Sequence, residues 1–149
     1  MKKVAFVKIF VTIALLLTFL IVLPGARADE TDQAIKVTFN QAVQIPGRVL
    51  PAGTYWFVLP RDVADPRKVF IFNSDRTIVC AIVLTIDAQR SQPTGKSAFT
   101  FATHGSEQPE AILTWFYPSD AIGHEFIYPK KEQKELAKKD NQVTVLAGD

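Results

Sequence analysis

The chain has one cysteine, Cys80, in 149 residues. A single cysteine closes no internal disulfide, so the fold must stand on its apolar core. Cys80 sits inside the run "TIVCAIVLTI", without the basic, part-exposed setting that activates a thiol. It reads as a small buried hydrophobe. Histidine is almost as scarce: there are only His104 and His124. A metal site of two histidines and a carboxylate would require their two loops to meet, with Glu107, Glu110, Asp120 or Glu125 as the acid. His124-Glu125 opens like the zinc-protease motif H-E-x-x-H, but the residue four places on is Tyr128, and the stretch reads as a strand rather than the helix that motif needs. The chain also lacks a G-x-S-x-G elbow and a phosphate-binding glycine loop; its 7 glycines are scattered among turns. Glu107 and Glu110 could serve a sugar hydrolase only in a cleft, which so short a chain has little surface to build. No catalytic residue, cofactor or metal is expected.

One long apolar run is present, and only at the start. Lys2, Lys3 and Lys8 precede Ile9–Leu23, Pro24-Gly25 breaks the run, and Ala26-Arg27-Ala28 supplies a small-x-small cleavage site. This is the layout of a secretory signal peptide over residues 1–28. The run is short for a membrane span of about 20 residues, and no cysteine follows the cleavage site to carry a lipid. Cleavage would remove four of the 17 basic residues and none of the 15 acidic ones, turning the net charge from +2 to −2. A basic face for nucleic acid is therefore not expected. Residues 29–149 form one domain by length, long enough to bury somewhat over ~60% of its unfolded surface. The expected location is the periplasm or beyond, with no membrane span after leader cleavage.

Turn residues divide what remains into short apolar runs. "IKVTF" (35–39) puts Ile35, Val37 and Phe39 on one face. Pro46-Gly47 and Pro51-Ala52-Gly53 punctuate the next stretch. "TYWFVL" (54–59) is apolar on both faces, so it should be covered on both sides. "KVFIFN" (68–73) leads into the turn "NSDR" (73–76). "TIVCAIVLTI" (77–86) has a large-residue face of Ile78, Cys80, Ile82, Leu84 and Ile86 and a smaller face of Thr77, Val79, Ala81, Val83 and Thr85; its β-branched content argues for a strand. "AFTFAT" (98–103), "AILTWFY" (111–117) and "HEFIY" (124–128) follow. "KKEQKELAKK" (130–139), opened by Pro129, is the one helical stretch, and "QVTVL" (142–146) is an edge strand or a frayed tail. Short strands at 8–15-residue spacing predict an all-β domain, a β-sandwich or small partly closed barrel, with one C-terminal helix at about 130–139.

Aromatics are the most suggestive side chains. Trp115, Phe116 and Tyr117 are consecutive, so they cannot all face one way. An exposed Trp–Tyr platform would stack on sugar rings, as aromatic faces do; the alternative is that these rings build the core. Trp115, Tyr117, His124 and Tyr128 are the candidate ligand-surface residues. The helix at 130–139 carries five lysines against two glutamates, on an otherwise acidic domain. Its apolar stripe is thin for membrane insertion, but it could touch an anionic envelope surface.

The ordered blocks "VTFNQAVQIPGRVLPAGTYWF", "PTGKSAFTF" and "PEAILTWFYPSDAIGHEFIYPKK", followed by "ELAKK", resemble a family of small exported bacterial proteins without an assigned function. The resemblance spans about Ile35 to Lys139 and implies no catalytic residue. "LPAGTY" alone is similar to the end of collagen-adhesin B-type and transthyretin-like sandwich repeats, although there it comes late in the repeat and here it comes early. The expectation is an exported, non-enzymatic binding or structural protein of the bacterial cell envelope, its partner an envelope component or a glycan. A carbohydrate-binding module using surface aromatics is the first alternative. A small metal-dependent hydrolase built on His104 and His124 is the second.

Overall fold

A computed structural model describes residues 32–61, 64–103, 108–138 and 141–147. The signal-peptide reading of 1–28, together with His104 and Glu107, lies outside the described residues. The chain divides into Met1–Glu30 and Thr31–Asp149, and every described residue belongs to the second unit. Its described residues hold ten strands and one short helix: β1 (Gln33–Phe39), β2 (Val43–Ile45), β3 (Arg48–Leu50), β4 (Gly53–Leu59), β5 (Lys68–Asn73), β6 (Val79–Gln89), β7 (Ser97–Thr103), β8 (Glu110–Phe116), β9 (Ile122–Phe126), α1 (Lys130–Leu136) and β10 (Asn141–Ala147). The all-β class with a C-terminal helix is as expected, and "QVTVL" lies in a paired edge strand.

All ten strands hydrogen-bond into one sheet that does not close into a barrel. The sheet doubles over on itself at β6. The first part of that strand, as far as Leu84, pairs with β5; Thr85 to Gln89 pair with β9. One layer is therefore β1-β4-β5-β6, and the other is β6-β9-β8-β7-β10. The β2–β3 hairpin fills the remaining edge of β8, with Val43 and Gln44 parallel to Glu110 and Ala111. The hairpin turns at Pro46-Gly47. Gly47 has φ 78°, the left-handed value that a type II turn needs after proline and that glycine adopts at little cost.

Alternation puts Ile35, Val37 and Phe39 of β1 and Phe57 and Leu59 of β4 against Phe99, Phe101, Ile112 and Trp115 of the facing layer. The rings interlock edge to face: Phe57–Phe99 at 5.3 Å and Phe57–Trp115 at 5.8 Å, while Phe99 and Trp115 stack at 6.1 Å. Such pairs add about 0.5–1.5 kcal/mol each beyond the area they bury. The core does without a disulfide by means of this aromatic density.

Two readings change, the burial of Cys80 and the extent of the helix. In β6 the smaller residues face inward: Val83 and Thr85 are buried, while Ile82, Leu84 and Ile86 are exposed. A bulge between Ile71 and Phe72 pairs Ile71 with Ala81 and Phe72 with Val79, skipping Cys80. The thiol is consequently half-buried at the irregularity, against the core but not enclosed by it. Helix α1 ends at Leu136, earlier than the lysine-rich stretch suggested, and buries no residue fully. It is held to the β2–β3 hairpin through Glu132, whose Oε2 accepts from Gly47 N at 3.2 Å and Gln44 Nε2 at 3.4 Å.

Candidate functional site

The four sequence-predicted site residues do not form one surface. Trp115 is fully buried; its indole Nε1 donates to Ser97 Oγ at 3.1 Å, and Ser97 is itself buried. Tyr128 is also buried, and its hydroxyl points at two backbone carbonyls, Ile112 O at 2.7 Å and Gln44 O at 3.0 Å. It ties β8 to the β2–β3 hairpin. Burial, and after it the neighbouring Glu132 carboxylate, push its phenol well above the ordinary tyrosine range. Neither ring has a free face for a sugar, because a disulfide-free core has taken both. Tyr117 is half-buried.

His124 is half-buried in β9, directly across from Trp115 in the β8–β9 register and 5.9 Å from its ring. Its Nδ1 lies 3.1 Å from Thr85 Oγ1, which is also 2.9 Å from Arg67 O. The hydroxyl donates its one proton to one of the two; if to Arg67 O, the ring presents Nδ1–H to it. Burial lowers the histidine pKa, and the charges of Asp87 and Asp120 oppose this only in part. Burial thus favours the neutral ring, which packs between Thr85 of β6 and Trp115 of β8. Among the described residues no group of three or more histidine, cysteine or acidic side chains is placed to hold a metal ion.

Phe116 points away from the core, yet it too is covered. The Arg90 guanidinium lies over its ring at 4.8 Å. Three acceptors hold that guanidinium in place: Asp120 O at 2.8 Å, Tyr117 O at 3.1 Å and Thr94 Oγ1 at 3.1 Å. Gly123 also approaches so closely that a Cβ there would sit 2.4 Å from Phe116 Cδ1 and 2.6 Å from Trp115 O. Trp56, the tryptophan of the "LPAGTYWF" block, is half-buried on the outer face of β4. Its Nε1 donates to Ser74 O at 3.1 Å, and the charges of Arg76 and Lys36 lie over its ring at 5.0 and 5.8 Å.

The concavity that pattern reading missed lies where the two layers fail to meet. Among the described residues β1 pairs only with β4, and β10 only with β7. The layer that ends in β10 runs past β1. Val143 and Val145 stand opposite Phe101 and Phe99 in the β7–β10 register, so they share the core-facing side of that layer. Both remain nearly half exposed, at 47% and 46%, because none of the described strands lies over them. The result is a cleft of about 530 Å³ with Phe39, Val43, Phe99 and Phe101 as its floor and Lys36, Thr38, Asn40, Gln41 and Glu110 around its lip. Phe39 meets Phe99 and Phe101 edge to face at 6.4 Å each. Apolar lining with a few polar groups, at this size, is the usual composition of a ligand site.

A second, more polar groove of about 540 Å³ runs over the outer face of β7 and β8, past Thr100, Thr114, Thr144 and Glu125. Thr100 and Thr144 hydroxyls are 3.3 Å apart. Among the described residues no helix is long and apolar enough to cross a membrane. Comparison with protein-family models, with curated proteins and with solved structures found no match for this chain.

Proposed function

We propose that the protein is an exported, non-enzymatic binding module of the bacterial cell envelope. Its ligand is an extended apolar segment of another polypeptide, taken into the cleft between β1 and β10. One observation carries the reading: a core-facing Val145 on an edge strand, exposed beside a floor of core phenylalanines, with Val143 next to it on the same face. The cleft is bordered by two strand edges that pair on one side only. Such edges offer a row of backbone donors and acceptors. A guest strand would satisfy them while setting alternate side chains on Val143, Val145 and Phe101. This is recognition by strand addition, in which main-chain bonds give affinity and alternate pockets give selectivity. The leader-like start of the sequence and its resemblance to exported bacterial proteins support the location.

The test is amide hydrogen exchange of the protein with a soluble peptide of alternating valine and threonine. Slowed exchange confined to β1 and β10, together with at least tenfold weaker binding by Val145→Asp, is the expected result. Unchanged exchange along both edges at millimolar peptide would end this reading. A glycan-binding reading no longer has Trp115 or Tyr128 available. It would need the polar groove past Thr100 and Thr144, and a titration with glycans read at those amides checks it.

A further inference from the structure

A different surface remains unexplained by the cleft. The outward side of the β1-β4-β5-β6 layer is apolar across several strands, and its rows can be read from the registers. Lys36, Trp56, Phe72 and Val79 form one row; Ala34, Val58, Phe70 and Ile82 form the next, with Val58 itself buried; Lys68 and Leu84 follow. Ile127 N donates to Leu84 O, which extends the patch beyond β6. Val79, Ile82, Leu84, Ile86 and Ile127 are between 42% and 53% exposed. Phe70 and Phe72 stack beside them at 6.4 Å. Contiguous apolar surface of this kind on a folded domain marks an interaction site.

The charges around the patch select the partner. At the outward positions of β1, β4 and β5 the only charged residues are Lys36 and Lys68. Arg76 adds a third cation where it lies over Trp56. The nearest acids are at the margins. Asp32, one residue before β1 and on its outward parity, accepts from Arg61 N. Asp75 in the β5–β6 turn accepts from Thr77, Asp65 is paired with Arg67, and Glu125 faces Ile86 across the far end of β6. Two copies meeting through this face about a two-fold axis would set cations against cations. An anionic surface with an apolar interior meets it with opposite charge and receives the aliphatic side chains.

We infer that the outer face of β5 and β6, with Trp56 of β4 at its margin, docks on an anionic phospholipid bilayer, with Ile82, Leu84 and Phe72 entering the headgroup–acyl boundary and Lys68, Arg76 and Lys36 against the phosphates. Interfacial binding of this type scales with buried apolar area plus attraction to anionic lipid, and a tryptophan at the boundary is a common anchor. The inference is independent of the cleft. Val145→Asp should leave it unchanged.

The test uses the protein as recovered from the cells that make it, sedimented with vesicles of phosphatidylglycerol and phosphatidylcholine or of phosphatidylcholine alone. Binding is expected to the anionic vesicles only, at least tenfold weaker in 0.5 M salt, with a blue shift of Trp56 emission while Trp115 stays buried. Ile82→Thr with Leu84→Thr should abolish it without moving the melting temperature, because both side chains point away from the core. Lys68→Gln and Arg76→Gln should each weaken it about five-fold, the effect of one cation near an anionic surface. Equal binding by the Ile82→Thr, Leu84→Thr variant, or equal binding to neutral vesicles, would overturn the inference. So would self-association lost in that variant without any vesicle binding, which would assign the face to a second copy.

Discussion

Replacing Gly123 by alanine tests how closely β9 lies on β8. The added Cβ would stand 2.4 Å from Phe116 Cδ1 and 2.6 Å from Trp115 O. Ordinary contact begins near 3.4 Å, so β9 or the ring must retreat by about 1 Å. Neither moves freely. The carbonyl is backbone beside a ladder that pairs Trp115 with His124, and the ring is covered by the Arg90 guanidinium. Overpacking of this kind costs roughly 1–3 kcal/mol, and a backbone obstacle puts it at the upper end. Restricting the unfolded chain returns about 0.4–1 kcal/mol, so the net loss is about 2 kcal/mol. A unit of this size has an unfolding entropy of about 0.25 kcal/mol/K, so the melting temperature should fall by about 8 °C. The assay is thermal unfolding followed by circular dichroism, run also on Phe116→Leu and the double variant. Shortening the ring removes one obstacle and leaves the carbonyl, so Gly123→Ala should cost less in the Phe116→Leu background, but not zero. Melting of Gly123→Ala within 2 °C of the parent, or identical costs in both backgrounds, would refute the reasoning.

Three further outcomes are expected. Ser97→Ala leaves the buried Trp115 indole N–H without its acceptor and should cost about 1–3 kcal/mol, measured by urea unfolding; Trp115→Phe, which removes the donor, should relieve the polar part of that cost. Arg90→Ala removes three hydrogen bonds and the cation over Phe116, and should destabilise by about 2–3 kcal/mol while speeding hydrogen exchange at the amide of Ser119, the backbone partner of Thr94. Because burial holds the His124 pKa below its ordinary value of about 6.5, the unfolded chain takes up that proton first. The stability this group contributes is present above pH 6.5 and is lost as pH falls through the folded pKa. A melting temperature that declines between pH 7.5 and 5, with a shallower decline in His124→Phe, is the expected pattern.

Much of the strand pattern was legible. "KVFIFN" matches β5 residue for residue, and the alternation of "IKVTF" put on one face the three residues that β1 buries. The β2–β3 hairpin was passed over because three-residue strands carry no measurable alternation. Its signal was Pro46-Gly47, a type II turn pair between Ile45 and Arg48. In β6 both parities are apolar, so periodicity could not choose the inward face; the bulge at Cys80 and the Thr85 bonds to Arg67 and His124 did. The consecutive aromatics were legible as opposed faces, but not that Ser97 would seat Trp115 or that Arg90 would cover Phe116. The cleft was invisible for a different reason. It depends on how far β10 runs past β1, strands at opposite ends of the domain whose spacing no local pattern reports.

The continuity of β6 has a consequence for motion. Because one strand of eleven residues belongs to both layers, the layers cannot part along that line without tearing a central ladder. Among the described residues the opposite margin has no such restraint, since β1 and β10 are each held by one neighbour. The domain should therefore breathe like a bound volume, stiff at β6 and loose at β1 and β10. Opening fluctuations should concentrate at the mouth of the cleft, where a guest strand would have to enter.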